Sequence, residues 1–241
     1  MDQNYFGRIL TMWEKYYYTE PIMYSCMIAL MLYGFLHNRK EKTFKIFLLY
    51  VAIGFLVMLF TRLVMADIIV VSEKLLINES ANVIFLFFET LAFIYYYIKV
   101  FKSKKIQMVL GILMALISIC VIIYFAIASN PKYNISEVIS LSFQINAIEF
   151  IFLLFPCLYY FYSTIKLSTV FIPLKIYPSF WVSVGLFFYI IISLPFLLVG
   201  NTLISYNYGL YTAMFSIHYM SISFLFICLV KAFKCKAILT T

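Results

Sequence analysis

The stretch IQMVLGILMALISICVIIYFAIA, residues 106–128, decides the fold. It carries no formal charge, and at about 1.5 Å per residue a helix of this length crosses a ~30 Å hydrocarbon layer. Lys99, Lys102, Lys104 and Lys105 precede it, and Asn130-Pro131 breaks it. Six further apolar stretches read the same way. They run over about 21–36, 44–70, 82–101, 137–162, 179–199 and 209–230. Of the whole chain, 65% is hydrophobic and only 12% charged, about half the charged share of a soluble domain. Lipid is therefore the natural solvent. The expected fold is all-α: a polytopic bundle of about seven transmembrane helices.

Three regions follow. Residues 1–20 read as an interfacial segment, with Trp13, Tyr16, Tyr17 and Tyr18 suited to headgroup depth. Residues 21–230 form the seven-helix domain, and 231–241 a cytoplasmic basic tail. No basic leader with a small-residue cleavage site opens the chain, so no cleavable signal peptide is expected. Thirteen of the 18 Lys and Arg flank one side: the loops after spans one, three and five and the C-terminal tail. Arg8, Lys15, Lys74 and Lys132 lie on the other, and Arg62 falls within span two. This bias places the N-terminus outside and the C-terminus inside.

The net charge of +8 is spread around apolar segments, so nucleic acid is not an expected partner. Cys26, Cys120, Cys157, Cys228 and Cys235 show no CxxC or metal-like spacing, and neither metal nor cofactor is expected. A retinal protein needs a lysine in mid-span seven, and that span has none. A zinc hydrolase needs three ligands, yet the histidines are His37 and His218 alone. HExxH, GxSxG and phosphate-loop motifs are absent, and Asp67 has no second membrane aspartate beside it. The expectation is a non-enzymatic protein. Spans one to three and five to seven do not match at their polar positions, and no Pro-Gln pair occurs, so a PQ-loop or sugar-transporter architecture of two three-helix halves is not expected either.

Ionisable groups in hydrocarbon are costly and mark functional positions. Arg62, Glu89, Asn146, Glu149 and His218 are the candidate ligand-binding residues. Depth counting places them between the midplane and the outer surface. Ser142, Asn146 and Glu149 recur at i, i+4 and i+7 and share one helix face, as do Asn82 and Glu89, and His218 and Ser221. Arg62 and Glu89 read equally as an ion pair pinning spans two and three. Glu149 and His218 read as a pair, as an acid–base couple, or as separate groups. His218 alone reads either as a hydrogen-bonded core residue or as a pH-responsive switch.

Pro178-Ser179-Phe180-Trp181, followed by Gly185 and Tyr189, is one recognisable pattern. The acidic third span around Glu89, ending in Tyr95–Tyr97 and lysines, is another. Together they resemble a group of largely uncharacterised small bacterial seven-helix membrane proteins, similar to the membrane sensor portions of histidine kinases. The resemblance implies a sensor or receptor-like module in a bacterial inner membrane. It would take a small-molecule, lipid or proton ligand from outside and signal through a protein partner, since no kinase domain is present. The alternative is a transporter or channel, and a lipid-modifying enzyme ranks third. The inner halves of the spans, rich in Leu, Ile, Phe and Tyr, disfavour a continuous polar path.

Overall fold

The computed structural model describes residues 19–37, 42–65, 74–130, 132–167 and 177–235. Seven helices account for 94% of these residues, with no strand among them. They are α1 (Thr19–His37), α2 (Lys42–Met65), α3 (Lys74–Val100), α4 (Lys104–Ala128), α5 (Ile135–Leu167), α6 (Pro178–Tyr206) and α7 (Tyr208–Lys234). Five of them, α3 to α7, are long and apolar enough to cross a membrane; α1 and α2 carry the shorter apolar runs Ile22–Leu36 and Lys45–Thr61. This is the pattern of a multi-pass membrane protein. The interfacial segment expected at 1–20 lies almost wholly outside the described residues, as do Asp67 and most of the basic tail.

Local chemistry sets the helix ends. Asn134 and Glu137 form a reciprocal capping box: Glu137 N donates to Asn134 Oδ1 at 3.0 Å, and Asn134 N donates to Glu137 Oε2 at 3.0 Å. Pro178 opens α6, where its missing N–H costs nothing. Asn207 alone separates α6 from α7 and accepts from Leu210 N at 3.0 Å. Lys231 and Lys234 end α7, where cations complement the helix dipole.

Two expected loops are helical instead. The connector placed at 200–208 is helix as far as Tyr206, because one capping asparagine suffices for the turn. The polar stretch Lys74–Ala81, expected as a loop before span three, forms the first two turns of α3. Its Glu79 is taken up there by Ser142 of α5.

The chain divides into two compact units, Met1–Lys40 with Leu154–Thr241, and Glu41–Leu153. In the first, α6 and α7 pack along most of their length, and α1 packs on α7. Gly185 makes the close approach: a Cβ there would meet Cys228 Cβ at 2.7 Å. Nearby, Cys157 Sγ donates to Ser183 O at 3.1 Å.

In the second unit, α3 packs against α2 and α4. Ring contacts give the α2–α3 register. Phe47 meets Phe93 and Tyr96 at 5.0 and 5.1 Å, and Tyr50 meets Phe85 at 5.5 Å. The two helices are therefore antiparallel, with Val51 near the level of Glu89. α4 stays apolar and outward-facing, with Ile112, Ile119, Ile122 and Ile123 all exposed.

Candidate functional site: a buried carboxylate seam

The second unit concentrates its polar side chains where α3 meets α5. Ser142 Oγ donates to Glu79 Oε2 at 2.8 Å and is also 2.8 Å from Ile139 O, so one proton is shared between two acceptors. One turn further along α5 comes Asn146, and three residues on comes Glu149. Asn78, Asn82 and Glu89 follow one face of α3, at i, i+4 and i+11. Asn78, Glu89, Ser142, Asn146 and Glu149 are all buried, Glu89 at 0% and Glu149 at 1% exposure. The Glu89 charge is among those that act on the buried Glu149 carboxyl.

The position of Glu89 along its helix differs from the one read off the sequence, whereas Glu149 stays near the middle of its own. α3 starts eight residues before the expected span, so Glu89 sits at the centre of the Leu76–Val100 segment, and Glu149 sits at the centre of Ile135–Lys166. Each is about 20 Å from the start of its helix at ~1.5 Å per residue. Glu89 is therefore central rather than outer.

Both oxygens of Glu149 are buried without a hydrogen-bond partner among the described residues, as are Oδ1 of Asn146 and Oδ1 of Asn78. Nearly all buried polar atoms in folded proteins are hydrogen-bonded. Acceptor oxygens without a donor among the described residues thus occur on both helices of the seam.

The two ends of the seam differ. At the Asn78 end, a cavity of about 400 Å³ is lined by Leu76, Asn130, Tyr133, Ile135 and Val138, among others. Leu76 lies one turn from Glu79, and Val138 one turn from Ser142, so the cavity adjoins the head of the seam. Past Glu89, rings close the interior: Phe93 and Tyr96 against Phe47, Tyr96 on Tyr97 at 5.6 Å, and Tyr97 stacked on Phe101 at 5.5 Å.

Arg62, the expected partner of Glu89, has its backbone in α2, and its side chain lies outside the described residues. The antiparallel register sets that backbone nearer the level of Asn78 and Glu79 than of Glu89.

His218 belongs to the first unit and is satisfied there. Its Nδ1 is 2.7 Å from Ser193 Oγ, Ser193 Oγ is 3.0 Å from Ser221 Oγ, and Ser221 Oγ donates to His218 O at 2.6 Å. Which of Nδ1 and Ser193 Oγ donates depends on the imidazole tautomer. Tyr189, Phe196, Phe215 and Tyr219 surround the imidazole, with ring centroids 5.5–6.4 Å away. The hydrogen-bonded core histidine is the reading this geometry favours.

The candidates thus separate: Glu89, Asn146 and Glu149 come together, whereas His218 has its own network in the other unit. Reasoning from sequence missed Glu79 and Ser193. The first was legible had the Asn82–Glu89 face been extended back one turn to Asn78. Ser193 has no signal beyond being a serine in an apolar run. No family model matches the chain, and no curated protein or solved structure does either.

Proposed function

We propose that the chain is a non-enzymatic sensor or receptor-like membrane protein. It crosses the bilayer seven times with the C-terminus inside, and its polar seam opens outward. One observation carries this reading: a buried Glu149 with no hydrogen-bond donor among the described residues, at the foot of a seam that adjoins a cavity at one end and meets aromatic rings at the other. A structural carboxylate is normally paired. A site reached from one end binds and releases on the same side, as a sensor requires and a channel does not. The Lys and Arg bias assigns the Asn78 end to the outside, and a bacterial inner membrane fits the resemblance to sensor portions of histidine kinases. A small ligand that favours one packing of α3 on α5 would shift the bundle between states. The basic inner loops would pass this to a protein partner.

Two measurements test the reading. In proteoliposomes, proton and alkali-cation flux should not exceed that of empty vesicles; a flux that Glu149→Gln abolishes overturns the sensor in favour of a transporter. Cys235, one residue beyond α7, reports sidedness. A membrane-impermeant maleimide should label it in intact cells only after permeabilisation. Burial pushes the Cys235 thiol up, an effect the Lys231 ammonium partly offsets, so labelling should accelerate as the pH rises beyond the usual thiol range. Labelling of intact cells would reverse the orientation.

A further inference from the structure

We propose that the outward face of α4 holds an anionic phospholipid. Its headgroup phosphate meets Lys102, Lys104 and Lys105, and an acyl chain lies along Met108, Ile112, Leu116 and Ile119. The inference goes beyond the sensor reading and needs only that α4 crosses a bilayer.

Spacing and exposure define the face. Met108, Ile112, Leu116, Ile119 and Ile123 recur at i, i+4, i+8, i+11 and i+15 and so share one stripe. All five are exposed, Met108 at 64%. The buried residues of α4, Leu110, Ile117, Val121 and Tyr124, lie on the opposite face. α4 is the least buried of the five long helices, with 22% of its apolar segment inside against 39% for the next, so most of its surface is left to lipid. Lys104 stands four residues before Met108, and Lys105 seven before Ile112, so the stripe begins at these two lysines. From Lys104 to Leu116 the helix rises about 18 Å at ~1.5 Å per residue. That is about one leaflet of a ~30 Å hydrocarbon layer. A charged head above an apolar strip of this length matches a single phospholipid.

The charge at the head of the stripe has one sign. Lys99, Lys102, Lys104 and Lys105 fall within seven residues and are all exposed. The Lys99 ammonium lies over the Tyr95 ring at 5.4 Å. The thirteen Lys and Arg of this side are accompanied in the sequence by one acid, Glu41, which lies outside the described residues. Helix stability does not call for Lys104 and Lys105. Cations in a first turn oppose the helix dipole, Ser103 makes no side-chain cap, and the turn holds no acid to offset them. Orientation requires basic residues near a span, not at the head of its exposed stripe.

The corner that carries the lysines is held in place. Gln107 Nε2 donates to Ile98 O at 3.1 Å and to Phe101 O at 2.7 Å. Phe101 is buried and stacked on Tyr97 at 5.5 Å. The connection 101–103 is thus tied to both α3 and α4, and the lysines keep their spacing. Charge then decides the occupant. A second copy of the chain, inserted the same way, would bring lysine against lysine at this end of the face. A zwitterionic lipid brings no net charge. An anionic headgroup supplies the missing sign, and each basic residue near it adds to the attraction.

The experiment reconstitutes the full chain in phosphatidylcholine vesicles with trace spin-labelled phosphatidylglycerol or phosphatidylcholine. Electron spin resonance reads the motionally restricted fraction, which is lipid held against the protein. For wild type, association of phosphatidylglycerol should exceed that of phosphatidylcholine by roughly threefold or more. Lys102→Gln/Lys104→Gln/Lys105→Gln should lose most of this preference, and arginine at the same three positions should keep it. Lys166→Gln/Lys231→Gln should also keep most of it, which separates the α4 face from the diffuse field of the other basic residues. Cys235 labelling checks that each variant inserts as wild type does. Where the triple variant does not, Lys102→Gln and Lys105→Gln alone read the same signal. No preference for phosphatidylglycerol, or one that the glutamines leave intact, overturns the site. Oxidative cross-linking of Ile112→Cys into dimers above the wild-type level would place a second copy on the face and overturn it as well. Either failure leaves the sensor reading standing, because Glu149 takes no part in these signals.

Discussion

Glu149→Met is expected to melt at a higher temperature than wild type while losing any ligand response. The side chain is 1% exposed and neither oxygen has a donor among the described residues. An unsatisfied buried polar group costs about 1–3 kcal/mol, and more when charged. Exchanging buried ionic groups for apolar residues of similar volume is often stabilising by ~1–4 kcal/mol. Methionine fills nearly the same volume and adapts to irregular gaps. At roughly 2–4 °C per kcal/mol for a chain of this size, the gain should be readable in a fluorescence melt in detergent. Glu149→Gln should move melting less, because its amide still seeks partners. A melting temperature lowered by several degrees in Glu149→Met would show instead that the carboxyl holds the helices together.

Gly185→Val should remove most of the folded protein. A Cβ at this position would stand 2.7 Å from Cys228 Cβ and 3.1 Å from Leu225 Cδ1. A Cβ cannot rotate away, so α6 and α7 must move apart. They are the most extensively packed helices of their unit, and small residues at such contacts let membrane helices approach closely. Overpacking costs ~1–3 kcal/mol and sometimes more. Gly185→Ala makes the sharper test, because two effects of opposite sign compete. Helix propensity favours alanine by about 1 kcal/mol, whereas the contact with Cys228 opposes it. The expected result is net destabilisation, relieved when Cys228→Gly removes the facing Cβ. A Gly185→Ala protein more stable than wild type would show that the approach is looser than described.

Much of this architecture is readable without coordinates because hydrocarbon permits few solutions. Residues 106–128 admit only an apolar helix, and the structure gives Lys104–Ala128. Polar positions within helices are harder. The period that joins Ser142, Asn146 and Glu149 correctly predicts a shared buried face, since helical spacing is a local property. Which helix meets that face is not local, and nothing in the sequence says that Glu79 reaches Ser142. Glu79 was lost to a second cause: Asn78-Glu79-Ser80 has loop composition, and tertiary partners override local preference there. Gly200–Tyr206 fails for the opposite reason. Its glycine and asparagine suggest a turn, but α6 runs on to the cap at Asn207. His218 was legible as a residue to weigh, but its role depends on Ser193, 25 positions away.

The central claim is that Glu149 is a buried carboxyl with no hydrogen-bond donor among the described residues, placed to meet a ligand. A hydrophobic carbodiimide, applied to membranes and mapped by mass spectrometry, tests it most directly. The reagent partitions into lipid and modifies carboxyl groups there, whereas a water-soluble carbodiimide should find the exposed Glu137 of the capping box. The account predicts an adduct on Glu149 that is absent from Glu149→Gln. Modification of Glu137 with Glu149 untouched under every condition would contradict it.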